Sequence, residues 1–268
     1  MQAALFTAGL GDCVRTIYKT RHYQMICEAR ERVAVLVGSH NPFALEIFRF
    51  HRNARNFVLY DVGHMYQAFF EDGLRGPDIT KALCEFAGVD YASLPKGDCR
   101  DFTPLFDAPD DVASTGHIVF QPYAGNANYR TWDDAFIERV LDVLRRQPCP
   151  VFLITRSYIR KSGDGKVIHA LEDARRWAGG NIQVLEHLSV PASLNLIKSC
   201  RAYVGSWSSL HQAAWFENKP VAVFYPPDYV DVRNRTGYAF GLDRENTLHA
   251  EYPAADMVQL DAWLKRWD

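Results

Sequence analysis

The chain lacks the features that would tie it to a metal cluster, a membrane or a polyanion. Its six cysteines, Cys13, Cys27, Cys84, Cys99, Cys149 and Cys200, are scattered. They form no C-x-x-C pair and have no His at zinc-ligand spacing, so buried thiols are expected rather than a zinc or dithiol centre. No apolar run approaches the roughly 18 residues of a membrane span. Met1–Thr7 has no basic n-region and no apolar h-region before Gly9; it does not read as a signal peptide, and a cytoplasmic location is expected. A formal charge of −2 gives no broad attraction to phosphate backbones or anionic lipid, although a local basic cleft is compatible with a neutral average. Nucleic acid is therefore not supported as a partner, nor forbidden. With 17 Gly and 13 Pro, and no repeat or low-complexity tract, the chain is neither fibrous nor disordered.

What is present is an ordinary globular composition, 48% apolar and 23% charged over 268 residues, enough for one large or two modest domains. Short β-branched or aromatic runs alternate with longer amphipathic stretches, the pattern of β-α units on a parallel sheet. In the first half the expected strands are Ala3–Ala8, Arg32–Val37 and Asn56–Val62. The expected helices are Cys13–Arg30, Pro42–His51 and Asp78–Ala87, the last ended by Gly88. Ser93–Gly116, with Pro95, Pro104 and Pro109, reads as a connection between domains. The alternation then restarts with strands His117–Gln121, Val151–Thr155, Ile182–Leu185, Ala202–Gly205 and Val221–Tyr225. Helices are expected at Asp133–Arg146, Lys166–Trp177, Ala192–Ser199 and Ser208–Glu217. Met257, Leu260, Trp263 and Leu264 share one stripe of Ala254–Trp267, so that segment should dock. The expected domains are residues 1–105, a linker 106–116, a second domain 117–253 and a docking helix 254–268. Two such doubly wound, Rossmann-like sheets predict a cleft at the carboxyl ends of their strands.

Three constellations at strand ends carry chemistry. Gly9-Leu10-Gly11-Asp12 follows the first strand; glycines there admit a close backbone approach, and a helix N-terminus favours an anion. A capping Asp with turn glycines is the alternative. Arg15 stands where the dinucleotide fingerprint needs a third small residue, which disfavours a nicotinamide cofactor. The loop Gln121–Trp132 places Arg130 before a helix, where a guanidinium can grip a phosphate or lie on the surface beside a packing Trp. Val204-Gly205-Ser206-Trp207-Ser208-Ser209-Leu210-His211 ends a strand in small polar residues and begins a helix. The Ser208 and Ser209 hydroxyls and the first amides can bind an anion, or Ser208 can simply cap. The G-x-S-x-G elbow of serine hydrolases is not met. His211 reads either as a base or ligand, or as a structurally hydrogen-bonded residue. Asp110-Asp111 and Asp133-Asp134 read as solvated or capping acids, and Asp228 with Asp231 misses D-x-D spacing, so no metal is expected.

Taken together, these residues resemble the bacterial ADP-heptose:LPS heptosyltransferase-like family of GT-B glycosyltransferases. The resemblance is strongest from His117 to Asp228, through Pro122…Gly125…Arg130-Thr131-Trp132, Leu188–Ile197, Ala202–Ser206, Ser208–Ala214 and Lys219–Phe224. In the first half it rests on Gly9-Leu10-Gly11-Asp12, similar to the family's G-x-G-D turn. It implies an α/β, GT-B-like fold with two doubly wound parallel-sheet domains facing a cleft. It also implies metal-independent transfer of a sugar from a nucleotide-sugar donor to a hydroxyl acceptor, a glycan or glycolipid, with no cofactor beyond that co-substrate. By the same resemblance Asp12 is the catalytic base, while Gly11, Arg130, Ser206, Ser208, Ser209 and His211 hold the donor and its phosphates. The chain departs from the family where Ser206, Trp207 and Ser208 replace an Asp-Thr/Ser-Gly sequence, and where only Asp164 offers a ribose-gripping carboxylate. The alternatives are a non-catalytic nucleotide-sugar-binding module, a nucleotide-sugar epimerase, or transfer onto nucleic acid using Arg49, Arg52 and Arg55. The loop Val230–Asp243 is a candidate donor cover.

Overall fold

The computed structural model describes residues 2–8, 10–19, 25, 28–39, 43–94, 105–122, 132–155, 160–161, 167–168, 174–225 and 245–267. The chain divides into two compact units. The first is Met1–Asp110 with Ser189–Ala192, and the second is Asp111–Leu188 with Ser193–Asp268.

In the first unit, strands β1 (Gln2–Ala8), β2 (Val33–Ser39) and β3 (Phe57–Asp61) pair in parallel in that order. All of β2 is buried, as expected of an interior parallel strand with elements on both faces. One face carries Ala3, Leu5, Ala34 and Leu36, packed against Val62, Ile79, Leu83 and Cys84. The helices concerned are α3 (Gly63–Glu71) and α4 (Pro77–Phe86). The opposite face carries Phe6, whose ring lies 4.4 Å from that of Phe48 on α2 (Ala44–Arg49). Helix α1 (Leu10–Lys19) follows β1 and buries Cys13, Val14, Ile17 and Tyr18. Met25 and Glu28 are helical as well, whereas residues 29–32 are not, so among the described residues helix ends before the expected Arg30. Helix α4 ends as expected before Gly88, whose φ of 67° favours glycine.

The second unit holds six parallel strands: β4 (Ile118–Gln121), β5 (Val151–Thr155), β8 (Ile182–Glu186), β9 (Ala202–Ser206), β10 (Val221–Tyr225) and β11 (Thr247–Glu251). Their spatial order is β11-β10-β9-β4-β5-β8. Numbered within the unit this is 3-2-1-4-5-6, the order of doubly wound nucleotide-binding sheets. On one face Ile118, Phe120, Leu153, Val204 and Phe224 meet Phe136, Ile137, Val140 and Leu144 of α5 (Asp134–Leu144) and Leu260, Trp263 and Leu264 of α8 (Met257–Leu264). The expected docking stripe is therefore core. On the other face Val119, Phe152, Tyr203 and Val223 are buried, as are Leu194 and Ile197 of α6 (Val190–Ser199) and Ala213 and Ala214 of α7 (Ser209–Phe216).

Among the described residues the expected helix Lys166–Trp177 is not formed. Val167–Ile168 (β7) pairs antiparallel with Arg160–Lys161 (β6), and Ala174–Trp177 is a single 3₁₀ turn. Two adjacent β-branched residues favour the extended form over the helix.

Candidate functional site

Strands β4 and β9 are neighbours whose chain continuations part: β4 leads to β5 on one side, and β9 leads to β10 on the other. Open α/β sheets bind their ligands beyond the carboxyl ends of such a strand pair. Gln121 ends β4 and Ser206 ends β9, with Gln121 in register with Gly205.

These ends are joined by a buried polar network whose origin is local. Tyr203 and Gly205 lie two apart on β9 and so project to the same face. A Cβ on Gly205 would collide with the Gln121 carbonyl oxygen and lie 2.7 Å from the Tyr203 hydroxyl. Glycine is what leaves room for the tyrosine to run along the strand to its end. There its hydroxyl donates to Gln121 Oε1 at 2.8 Å and lies 3.1 Å from both the Ser206 carbonyl and Ser208 Oγ. Burial keeps this hydroxyl protonated, with a pKa well above the ordinary phenol value. Ser206 Oγ donates to the Gln121 carbonyl at 3.4 Å, a link between strand ends.

Helix α7 starts directly above. Ser208 is its N-cap: Oγ accepts from the His211 amide at 3.2 Å and donates to Gln121 Oε1 at 2.6 Å. Both the proton and an acceptor site of Ser208 are thus engaged, which realises the capping alternative for that residue. Ser209 and Leu210 occupy the first two helical positions, whose amides have no partner within a helix. With the half-buried Ser209 hydroxyl, they are the donors left for an anion, aided by the positive end of the helix dipole.

His211 is fully buried, and neither ring nitrogen has a hydrogen-bond partner among the described residues. The hydrogen-bonded structural role expected of it is not realised. Its ring packs 4.5 Å from that of Trp207. Burial, reinforced by His249, pulls its pKa down to about 3, so the imidazole is neutral at physiological pH and offers a phosphate no charge.

Of the other expected site residues, Gly11 and Asp12 lie in the first turn of α1. Arg130, Asp164, Asp228, Asp231 and the loop 230–243 fall outside the described residues. Asp110 accepts from the Ser189 hydroxyl at 2.7 Å and from its amide, while Asp111 accepts from Asn195. Asp133 caps α5 through the Phe136 amide at 2.7 Å, and Asp134 pairs with Arg176. Among the described residues, no three His, Cys, Asp or Glu converge as a metal centre requires. Arg52 pairs with Asp107, which locally offsets one of the three basic residues considered for nucleic acid. The residues that sequence reasoning missed are Gln121 and Tyr203; the available signal was the Tyr-x-Gly spacing on a strand.

No family model and no curated protein matches the sequence. Solved structures do match in fold. E. coli ADP-heptose LPS heptosyltransferase II aligns with a TM-score of 0.57 at 12% identity, over 100% of this chain and 98% of that one. E. coli heptosyltransferase WaaC with ADP-2-deoxy-2-fluoro heptose aligns with a TM-score of 0.54, at the same identity and coverage. The chain therefore has the α/β fold of the GT-B glycosyltransferases, with parallel sheets in both units.

Proposed function

We propose that the chain is a glycosyltransferase that moves a sugar from a nucleotide-sugar donor to a hydroxyl acceptor, with the donor's diphosphate seated at the start of α7. The observation that carries this reading is the polar turn at the switch point of a 3-2-1-4-5-6 sheet, where Ser208 caps the helix and the Ser209 and Leu210 amides have no partner within it. It is supported by the structural likeness to WaaC, a heptosyltransferase seen with an ADP-sugar analogue.

In this reading the leaving diphosphate gains charge as the glycosidic bond breaks. Fixed donors must meet that charge without reorganising. To the α7 amides and the Ser209 hydroxyl we assign that role, together with Arg130, whose guanidinium adds a full positive charge in place of a divalent cation. Ser206, Ser208 and His211 shape and support the turn. To Asp12, in the first turn of α1, we assign removal of the acceptor hydroxyl's proton. The acceptor is a glycan or glycolipid, and the location is cytoplasmic.

A thermal-shift panel of nucleoside diphosphates and nucleotide sugars, with and without magnesium, tests the reading on wild type and Arg130→Ala. A ligand at about 100 times its Kd adds about 2.7 kcal/mol, or several degrees for a domain of this size. The expected result is a magnesium-independent shift for one base that Arg130→Ala diminishes. No shift with any nucleotide would refute it.

A further inference from the structure

The Gln121 carboxamide stands at the end of β4 with half of its hydrogen-bonding capacity in use. Its oxygen accepts from the Tyr203 hydroxyl at 2.8 Å and from Ser208 Oγ at 2.6 Å, which fills both lone pairs. Those two protons fix the sense of the amide: Oε1 faces them, and Nε2 faces away. Nε2 has no hydrogen bond to any described residue, and Gln121 itself is only partly buried. Both anchors are themselves held. Tyr203 is fully buried, and Ser208 is tied to the His211 amide as a helix cap.

A side-chain amide pinned in this way has already lost its rotamer freedom, so binding through it carries little further entropic cost. It sits on the central strand beside the helix whose first amides await an anion. We propose that Gln121 is a ligand-binding residue, whose Nε2 donates an uncharged hydrogen bond to a phosphate oxygen of a nucleoside diphosphate bound at the start of α7. The proposal rests on the diphosphate reading of that turn. It also gives the Gly205–Tyr203 pairing a purpose: the tyrosine holds the amide oxygen so that the amide nitrogen meets the ligand.

Calorimetric titration of the full chain with ADP, GDP, UDP and CDP, and with the matching nucleosides, tests it on wild type, Gln121→Glu and Gln121→Met. Glutamate keeps the acceptor for Tyr203 and Ser208, but removes the donor and adds a negative charge. Methionine removes donor and acceptor without adding charge. The expected result is about 10-fold or greater weakening of the diphosphate by Gln121→Glu and a smaller weakening by Gln121→Met, with nucleoside binding unchanged. Variants that melt cooperatively and bind the diphosphate within twofold of wild type would overturn the role of Gln121 and leave the diphosphate site standing. Parallel losses of diphosphate and nucleoside would reduce Gln121 to a structural residue. Wild type that binds no nucleoside diphosphate would overturn both readings. If Gln121→Glu does not fold, Gln121→Met alone decides.

Discussion

Replacing Gly205 with alanine asks whether the strand ends are held as closely as described. The new Cβ meets a backbone carbonyl, that of Gln121, on the paired strand, as well as the Tyr203 hydroxyl at 2.7 Å and its Cζ at 2.9 Å. A flexible side-chain tip can yield at little cost, but this carbonyl belongs to a strand fixed between β5 and β9. Either the β4–β9 ladder opens at Gln121 or the tyrosine is displaced from a fully buried site. Overpacking of this kind typically costs about 1–3 kcal/mol. At about 2–4 °C per kcal/mol for a unit of this size, the melting point should fall by roughly 2–12 °C. Differential scanning calorimetry is the suitable assay, because the two units can melt in separate transitions and the loss must appear in only one. Adding Tyr203→Phe removes the hydroxyl contact but leaves the carbonyl contact, so the double variant should regain only part of the loss. A Gly205→Ala protein that melts within a degree of wild type would show that the close approach does not exist.

Two further outcomes follow from the same geometry and from the assigned base. His211 has a folded pKa of about 3 against 6.5 unfolded, so the unfolded chain takes up a proton that the folded one refuses. Stability is complete above pH 6.5 and falls as the pH drops toward 3, by about 2 kcal/mol at pH 5 from this residue. Denaturant unfolding of His211→Phe should show that much less loss between pH 7 and pH 5, and an unchanged pH slope would refute the assignment. Asp12→Ala should slow sugar transfer by about 10²–10⁴ and leave donor affinity, read by the same titration, as in wild type. A folded variant with undiminished turnover removes Asp12 from the mechanism.

Much of the scaffold was legible because interior parallel strands are short apolar runs flanked by turn residues. Val151–Thr155 and Val221–Tyr225 were placed to the residue. Helix α3 (Gly63–Glu71) lacks a start signal, since it begins at a glycine after an uncapped Val62, and it was missed although Val62, Met65, Tyr66 and Phe69 form an apolar stripe that packs on the core. Strand β11 was missed because it lies at the sheet edge with Leu248 as its only buried residue. The turn Ser206–Ser209 was legible as a strand end meeting a helix start. What each serine does there was not, because the answer depends on Gln121, a residue without a motif whose role arises from register with a distant strand.

That register also sets a timetable. Strand β4, with Ile118, Val119 and Phe120 wholly apolar, pairs with β9, which is made about 80 residues later. At about 5–20 residues per second, one edge of the strand waits roughly 4–16 s on the ribosome for its neighbour. Through that interval a bare apolar edge is open to any passing chain. The same central pairing that builds the candidate ligand site thus makes the nascent protein depend on being shielded until Ala202–Ser206 arrives.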